Sequence, residues 1–258
     1  MIELTALILA FNERENIGRT LTALSWVKQI VIVDSFSTDE TIEIAKAMHL
    51  NITVVQRQFD AHATQWNFGL AQIRTMWVLT LDAHYELSRE LSNEIAELKP
   101  SDEVSAYHAR FQFRIFGANL RASAYPPRPI LLRTERCTYY DAGHTQKLAI
   151  EGLTPDLSGV VYHDDRKPLS GWLRAQDRYA TIEGRYLLAT LVAQLNFQDR
   201  LRPKIVLAAP LMFFYLLFAR GLLLDGWPGW FYVCQRTIAE SLLSIRLLIE
   251  REKLEGKN

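Results

Sequence analysis

The apolar positions of this chain follow two regimes. In the first hundred residues, short unbroken apolar runs alternate with stretches in which apolar residues recur at helical spacing. Leu4–Ala10 (LTALILA), 29–33 (QIVIV), 52–55 and 77–81 (WVLTL) are of the first kind. A continuous run of this length predicts a strand covered on both faces. Between the runs, Ile17, Leu21 and Leu24 mark one helical face and Ile42, Ile44 and Ala45 another, the latter with Ser37 or Thr38 as its expected cap. Strands and helices alternating at these lengths predict parallel βαβ units.

Beyond Pro100 the elements become shorter and aromatic and basic residues interleave. Phe111, Phe113 and Ile115 alternate with Gln112 and Arg114 as in a strand or ribbon. Tyr125-Pro126-Pro127-Arg128-Pro129 reads as a rigid extended turn into a strand at 130–133. The run 157–162 (LSGVVY) predicts a short strand that delivers His163-Asp164-Asp165-Arg166-Lys167. From 169 to 196 the pattern is helical, with Trp172, Tyr179, Ile182 and Tyr186 on one side. Fifteen uncharged residues follow at 205–219, containing Pro210 and bordered by Arg200, Arg202, Lys204 and Arg220. Then come two tryptophans, a tyrosine and a proline at 221–232, and a last helical pattern at 232–253. The uncharged run falls short of the ~20 residues of a simple spanning helix. Its aromatic and basic borders predict a re-entrant or interfacial hairpin on a membrane, with a buried core helix as the alternative.

Composition narrows the choices only a little. A chain of 258 residues allows one large α/β domain or a domain with an appendage. The pattern divides it into 1–168, with halves at 1–99 and 100–168, and a helical region at 169–258. Basic and acidic residues both number 29, so no global charge invites nucleic acid. Cys137 and Cys234 stand far apart, which argues against a disulfide framework or a zinc site. The first residues enter strand-like sequence with Glu3 and no basic flank, so no leader is expected.

Candidate chemistry centres on Val78-Leu79-Thr80-Leu81-Asp82-Ala83-His84. An apolar strand ending in a carboxylate and an imidazole two residues apart puts both on one face at the carboxyl edge of a sheet. Open α/β sheets hold ligands at that edge. Ser88 is expected to cap the helix that follows. No G-x-G-x-x-G or P-loop occurs, so a nucleotide would need a metal bridging its phosphates.

Four segments in order, Ala10-Phe11-Asn12-Glu13, Val33-Asp34-Ser35-Phe36-Ser37-Thr38-Asp39, Gln65-Trp66-Asn67-Phe68-Gly69-Leu70 and Leu81-Asp82-Ala83-His84, resemble the signature of family 2 glycosyltransferases, in particular the bacterial branch of lipopolysaccharide-core enzymes. The resemblance is strong over 4–90 and patchier to about 180. It implies an α/β GT-A fold, a mixed sheet flanked by helices, and inverting transfer of a sugar from a nucleotide-diphosphate donor. It further implies Asn12, Glu13, Asp34, Asn67 and Asp82 as nucleotide-sugar contacts and Asp82, His84 and His163 as metal ligands, with Arg166 and Lys167 on the departing diphosphate. Turn and helix-end chemistry explains Asp39 better than substrate contact, and a structural hydrogen bond remains open for Asn67.

The family usually has Asp-x-Asp where this chain has Asp82-Ala83-His84, and imidazole suits manganese better than magnesium. The base falls in Tyr140-Asp141-Ala142-Gly143-His144-Thr145, where Thr145 replaces the usual acid, leaving Asp141, the favoured base, or His144. The implied acceptor is lipid-linked or lipopolysaccharide, reached from the cytoplasmic face of a bacterial inner membrane, and homo-oligomers are possible. A sugar-nucleotide pyrophosphorylase or a non-catalytic glycan-binding scaffold are the alternatives.

Overall fold

A computed structural model describes residues 2–48, 51–123, 125–142, 145–190 and 208–255. Cα packing divides the chain into two compact units. The first takes in 1–119, 125–141 and 146–167.

Its frame is one large mixed sheet. Strands β1 (Leu4–Ala10), β2 (Ile30–Asp34), β3 (Ile52–Gln56) and β4 (Trp77–Asp82) fall on the four apolar runs. They pair in parallel in the order β3-β2-β1-β4. The sheet continues through β8 (Arg128–Arg133), β6 (Ala106–Ile115) and β11 (Asp156–His163) to β5 (Tyr85–Leu87), and β7 (Ala118–Asn119) hangs on β6. β8 opposes both β4 and β6, which turns a parallel half-sheet into a mixed one. A separate ribbon joins β9 (Cys137–Ala142) to β10 (Thr145–Ile150).

The apolar runs of β1, β2 and β4 are explained by burial on both faces, whereas β3, expected to be covered in the same way, lies at the sheet edge and is half exposed. Along β1, Leu4, Ala6, Ile8 and Ala10 pack in a core with Leu21 and Leu24 of helix α1 (Ile17–Ala23) and its turn. Leu7, pointing the other way, packs with Val33, Val78 and Trp66 of α3 (His62–Leu70). Helix α3 comes so close that a Cβ on Gly69 would lie 2.7 Å from a Leu7 methyl. Gly159 in β11 is similarly forced, since a Cβ there would sit 2.5 Å from Leu91 Cα in α4 (Arg89–Glu97). Ser88 caps α4 as expected, accepting from Leu91 N at 3.1 Å.

The expected cap of α2 (Thr41–Ala47) is not used. The helix begins later, after Glu40, without a side-chain cap. Ser37 instead bonds Asp34 and Asn12, and Thr38 bonds Asn12, so both serve the strand ends.

The second unit holds 120–124, 142–145 and 168–258. Helix α5 (Leu169–Ala189) packs on α7 (Gly226–Glu255) through Ala180, Leu187, Leu243 and Leu247. Asp177–Arg246 and Arg185–Glu250 pair beside that seam. Helix α6 (Ala208–Phe214) runs into a π-turn at Tyr215–Ala219, and Leu222–Asp225 forms a 3-10 turn. The last helix starts six residues before the expected 232, because Pro228 lies in its first turn, where a missing N–H costs nothing. Residues 191–207, including the predicted end of the earlier helical pattern and the start of the uncharged run, lie outside the described residues.

Candidate active site

Parallel pairing brings the ends of β1, β2 and β4 to one edge, with Leu9 opposite Asp82 and Ala10 opposite Asp34. Two tight turns there are built with left-handed backbone at non-glycine residues, Asn12 (φ 52°) and Phe36 (φ 62°). Such backbone is costly and concentrates at functional sites. Side chains tie the two turns together. Asn12 Oδ1 accepts from Thr38 N at 2.8 Å, and Glu13 N donates to Thr41 Oγ1 at 2.7 Å. Asp39 accepts from Arg14 N and Thr41 N, which is turn and helix-end chemistry as expected. Asp34 is fully buried, and its oxygens take Ser37 N, Ser37 Oγ and Gln56 Nε2. Phe11 and Phe36, which follow the first two strands, stay about half exposed and offer apolar ring faces at this edge. An aromatic one or two residues after an apolar strand is the sequence signal that could have found them.

The end of β4 holds the densest chemistry. Glu13 is buried, its Oε2 taking Asn16 Nδ2 at 2.8 Å and its Oε1 taking Lys167 Nζ at 2.5 Å. Lys167 also reaches Phe11 O at 3.3 Å. His84 is mostly buried, its Nδ1 3.7 Å from Glu13 Oε1, too far for a hydrogen bond, and that nitrogen has no other partner among the described residues. Burial alone would lower the His84 pKa; the carboxylates of Glu13, Asp165 and Asp82 outweigh it and hold it up at about 9. The His163 ring lies 4.7 Å from the His84 ring and stacks on Phe113 at 4.1 Å. Burial, reinforced by the charge on His84, holds His163 well below the usual histidine range, so it is a neutral imidazole.

The pairing of β11 with β5 therefore brings His84 and His163 together from positions 79 apart, and the charge of Asp82 acts on His84. Carboxylate and imidazole are the donor types of a transition ion, and an ion taken by His84 would displace the proton that the neighbouring carboxylates hold on that ring. No three His, Cys, Asp or Glu side chains converge to hold an ion unaided among the described residues. The donors fit a cation that draws further ligands from elsewhere, as ions shared with substrate phosphates do.

Other expected site residues are placed differently. Asn67 is engaged with the Tyr139 backbone, donating to its O at 2.8 Å and accepting from its N at 3.0 Å. Asp141 accepts from Ala63 N at 3.1 Å in the first turn of α3. His144 lies outside the described residues. Arg166 grips Asp164 through Nε and an NH2 nitrogen, and Arg19 links Glu86, Asp164 and Asn16. Arg19 carried no sequence signal, because its three partners come from separate elements.

A parallel half-sheet in the order 3-2-1-4, extended by antiparallel strands and presenting an acid and an imidazole after β4, is the GT-A type of nucleotide-sugar transferase fold. The chain belongs to glycosyl transferase family 2, whose model matches residues 5–157. It is similar to an uncharacterized glycosyltransferase of Rickettsia felis, 32% identical over 42% of this chain and 38% of the relative. The match thus spans little more than a third of that relative's length. It is also similar to a lipopolysaccharide core biosynthesis glycosyltransferase, LpsC, of Rhizobium meliloti, 27% identical over 99% of this chain and 95% of the relative. In fold it is similar to a mannosyltransferase of Pyrobaculum calidifontis solved with GDP-mannose and Mn2+, at a TM-score of 0.57 and 16% identity, over 99% and 88% of the two chains.

Proposed function

We propose that this protein is a divalent-metal-dependent, inverting hexosyltransferase of surface-glycan assembly, moving a sugar from a nucleotide-diphosphate donor to a lipid-linked or lipopolysaccharide acceptor. The observation that carries it is the largely buried His84 with its unspent nitrogen, beside Asp82 and His163, at the ligand-binding edge of a family 2 sheet. The full-length likeness to LpsC supports the acceptor class. The Mn2+ and GDP-mannose held by the fold relative support the cofactor and donor class.

Asp82, His84 and His163 would hold the ion, which supplies charge neutralisation for the leaving diphosphate. Manganese is favoured over magnesium by the imidazoles. Asn12, Glu13 and Asp34 build the turns under the nucleoside, and Phe11 and Phe36 give its base apolar faces to stack on. In the transfer, the acceptor oxygen forms a bond to the sugar's anomeric carbon. The bond from that carbon to the diphosphate breaks with its electron pair leaving on phosphate oxygen. The acceptor proton passes to Asp141, the favoured base, or to His144, which lies outside the described residues.

A second element supports a membrane setting. No single helix among the described residues is long and apolar enough to cross a bilayer. One bent pair, 208–219 with 222–253 at 71°, has the length and composition of a broken span or re-entrant hairpin. Leu211, Phe214, Phe218, Leu224 and Trp227 are exposed along it, which fits insertion at a cytoplasmic membrane face.

The test is release of nucleoside diphosphate from a panel of UDP-, GDP- and dTDP-sugars with Mn2+, Mg2+ or EDTA. Release should need a divalent ion, Mn2+ should exceed Mg2+, and His84→Asp should shift the preference toward Mg2+. Equal turnover in EDTA would overturn metal dependence. Absence of release from every donor, with no nucleotide bound, would favour a scaffold.

A further inference from the structure

The cations that the sequence offers for the donor's diphosphate are already engaged. Arg166 is held on Asp164, and Lys167 on Glu13 and the Phe11 carbonyl. Arg19 is shared among Glu86, Asp164 and Asn16, and Arg114 donates to Asn119 while lying over the Tyr162 ring. Arg128 differs. Among the described residues its guanidinium makes no hydrogen bond and no ion pair; it stacks on the Tyr125 ring, with Cζ 4.2 Å from the centroid, and its charge is felt at His163 and Tyr85. It is half-buried, so the charge is held in the wall of the site rather than extended into solvent.

Topology sets where that charge stands. β8 runs antiparallel to β4 with Leu79 opposite Leu131, and Thr80 Oγ1 donates to Ile130 O at 3.2 Å. The first residue of β8, Arg128, is thereby carried toward the carboxyl end of β4, where Asp82 and His84 are. On its other side Arg128 pairs with Ala109 of β6. The Tyr125 ring beneath it packs edge-on against Phe113 at 4.9 Å and lies 5.8 Å from His163. The platform is therefore continuous with the imidazole cluster.

The local sequence holds this arrangement still. Pro126, Pro127 and Pro129 each lock φ, and Tyr125, Pro126 and Arg128, each preceding a proline, are confined to extended backbone. A guanidinium stacked on a ring keeps its planar fork of N–H donors free at the edge, the geometry that grips two phosphate oxygens at once. Anchored backbone and stacked head reduce the entropy lost on binding.

We propose that Arg128 is a binding residue for the donor's diphosphate, taking two phosphate oxygens through its guanidinium while Tyr125 holds the plane in place. This rests on the donor reading above. Arg128 then supplies the phosphate contact that Arg166 and Lys167, engaged elsewhere, do not, and it steadies the diphosphate as the sugar departs.

The test is isothermal titration of the full chain with UDP, GDP, UMP and GMP in Mn2+, comparing wild type with Arg128→Gln and Arg128→Lys, each checked by thermal melting. Arg128→Gln should weaken the diphosphate that wild type binds by about tenfold or more, because a charge-assisted pair is lost. The matching monophosphate should change by less than about threefold, and Arg128→Lys should fall between. Equal losses for mono- and diphosphate, or none for either, would overturn the assignment. Should Arg128→Gln fail to fold, Arg128→Lys decides alone: undiminished diphosphate affinity refutes a bidentate grip, and a selective loss upholds it. If wild type binds no nucleotide, the donor reading itself falls, a result distinct from a wild type that binds while Arg128→Gln binds equally well.

Discussion

At the scale of single residues, the same polar side chain can line a ligand or hold the fold, and hydrogen-bond partners tell the two apart. Asn67 stands in a segment that resembles a nucleotide-binding signature, yet both ends of its amide are met by the Tyr139 backbone. Asn67→Ala would leave a strand N–H and C=O without partners, at a cost of about 2 kcal/mol. We expect urea denaturation to show that loss while nucleoside diphosphate affinity stays within about twofold of wild type. A large fall in affinity with unchanged stability would instead place Asn67 on the ligand. Glu13 lies between these extremes. Its carboxylate is buried and ion-paired with Lys167, and it stands next to His84, so it acts on the site through its neighbours.

At the scale of elements, α4 and β11 show how closely one helix is fitted to one strand. Gly159 admits Leu91, and Glu94 accepts from the backbone N–H groups of Ser158 and Gly159 at 2.9 and 3.0 Å. Burial would raise the Glu94 pKa, but those two N–H donors outweigh it and hold the carboxyl below its ordinary 4.5. A carboxyl with a depressed folded pKa contributes stability that is present above the unfolded value. That contribution is lost as pH falls through the folded value. Glu94→Gln should therefore lower the melting temperature at pH 7 and flatten its dependence on pH below about 4.5, followed by calorimetry from pH 7 to 3. Parallel curves for variant and wild type would show that the contact contributes nothing. The stake goes beyond stability, because β11 carries His163 to the site.

At the scale of the whole molecule, exposure in the second unit sorts the apolar residues by role. Leu216 and Leu217 are fully packed, whereas Phe214 and Phe218 are about 60% exposed and stack on one another. An aspartate at Leu216 would disrupt the unit itself, so the exposed pair is the correct probe of membrane docking. Phe214→Asp with Phe218→Asp should leave the fold intact and shift the protein out of the floating fraction in flotation with phosphatidylglycerol-containing liposomes. Several exposed aromatic and leucine side chains, at about 25 cal/mol per Å2 of apolar surface, are worth several kcal/mol on insertion. Wild type that remains at the bottom of the gradient would refute the membrane setting.

The strands β1, β2 and β4 were legible in the sequence because a strand buried on both faces is apolar almost throughout, whereas β3, at the sheet edge, shows the same run while half exposed. The edge at which chemistry collects was legible too, since Asp82 and His84 follow such a strand directly, as was the cap at Ser88. Boundaries that depend on partners were not. Ser37 and Thr38 look like helix caps until Asp34 and Asn12 claim them, and the last helix begins at Gly226 because its first turn tolerates a proline. Whether a charged group is spent or available was beyond the sequence altogether. Arg166, Lys167 and Arg128 are all cations in the sequence. Arg166 finds its carboxylate, Asp164, two residues away, but only the folding of the 164–167 loop onto the turn after β1 gives Lys167 its partner Glu13, while β8 carries Arg128 to the edge of β4 with its donors unspent. A side chain's type is local information. Its partner can stand far off in the chain, as Glu13 does from Lys167, and such segments are brought together only in the tertiary structure.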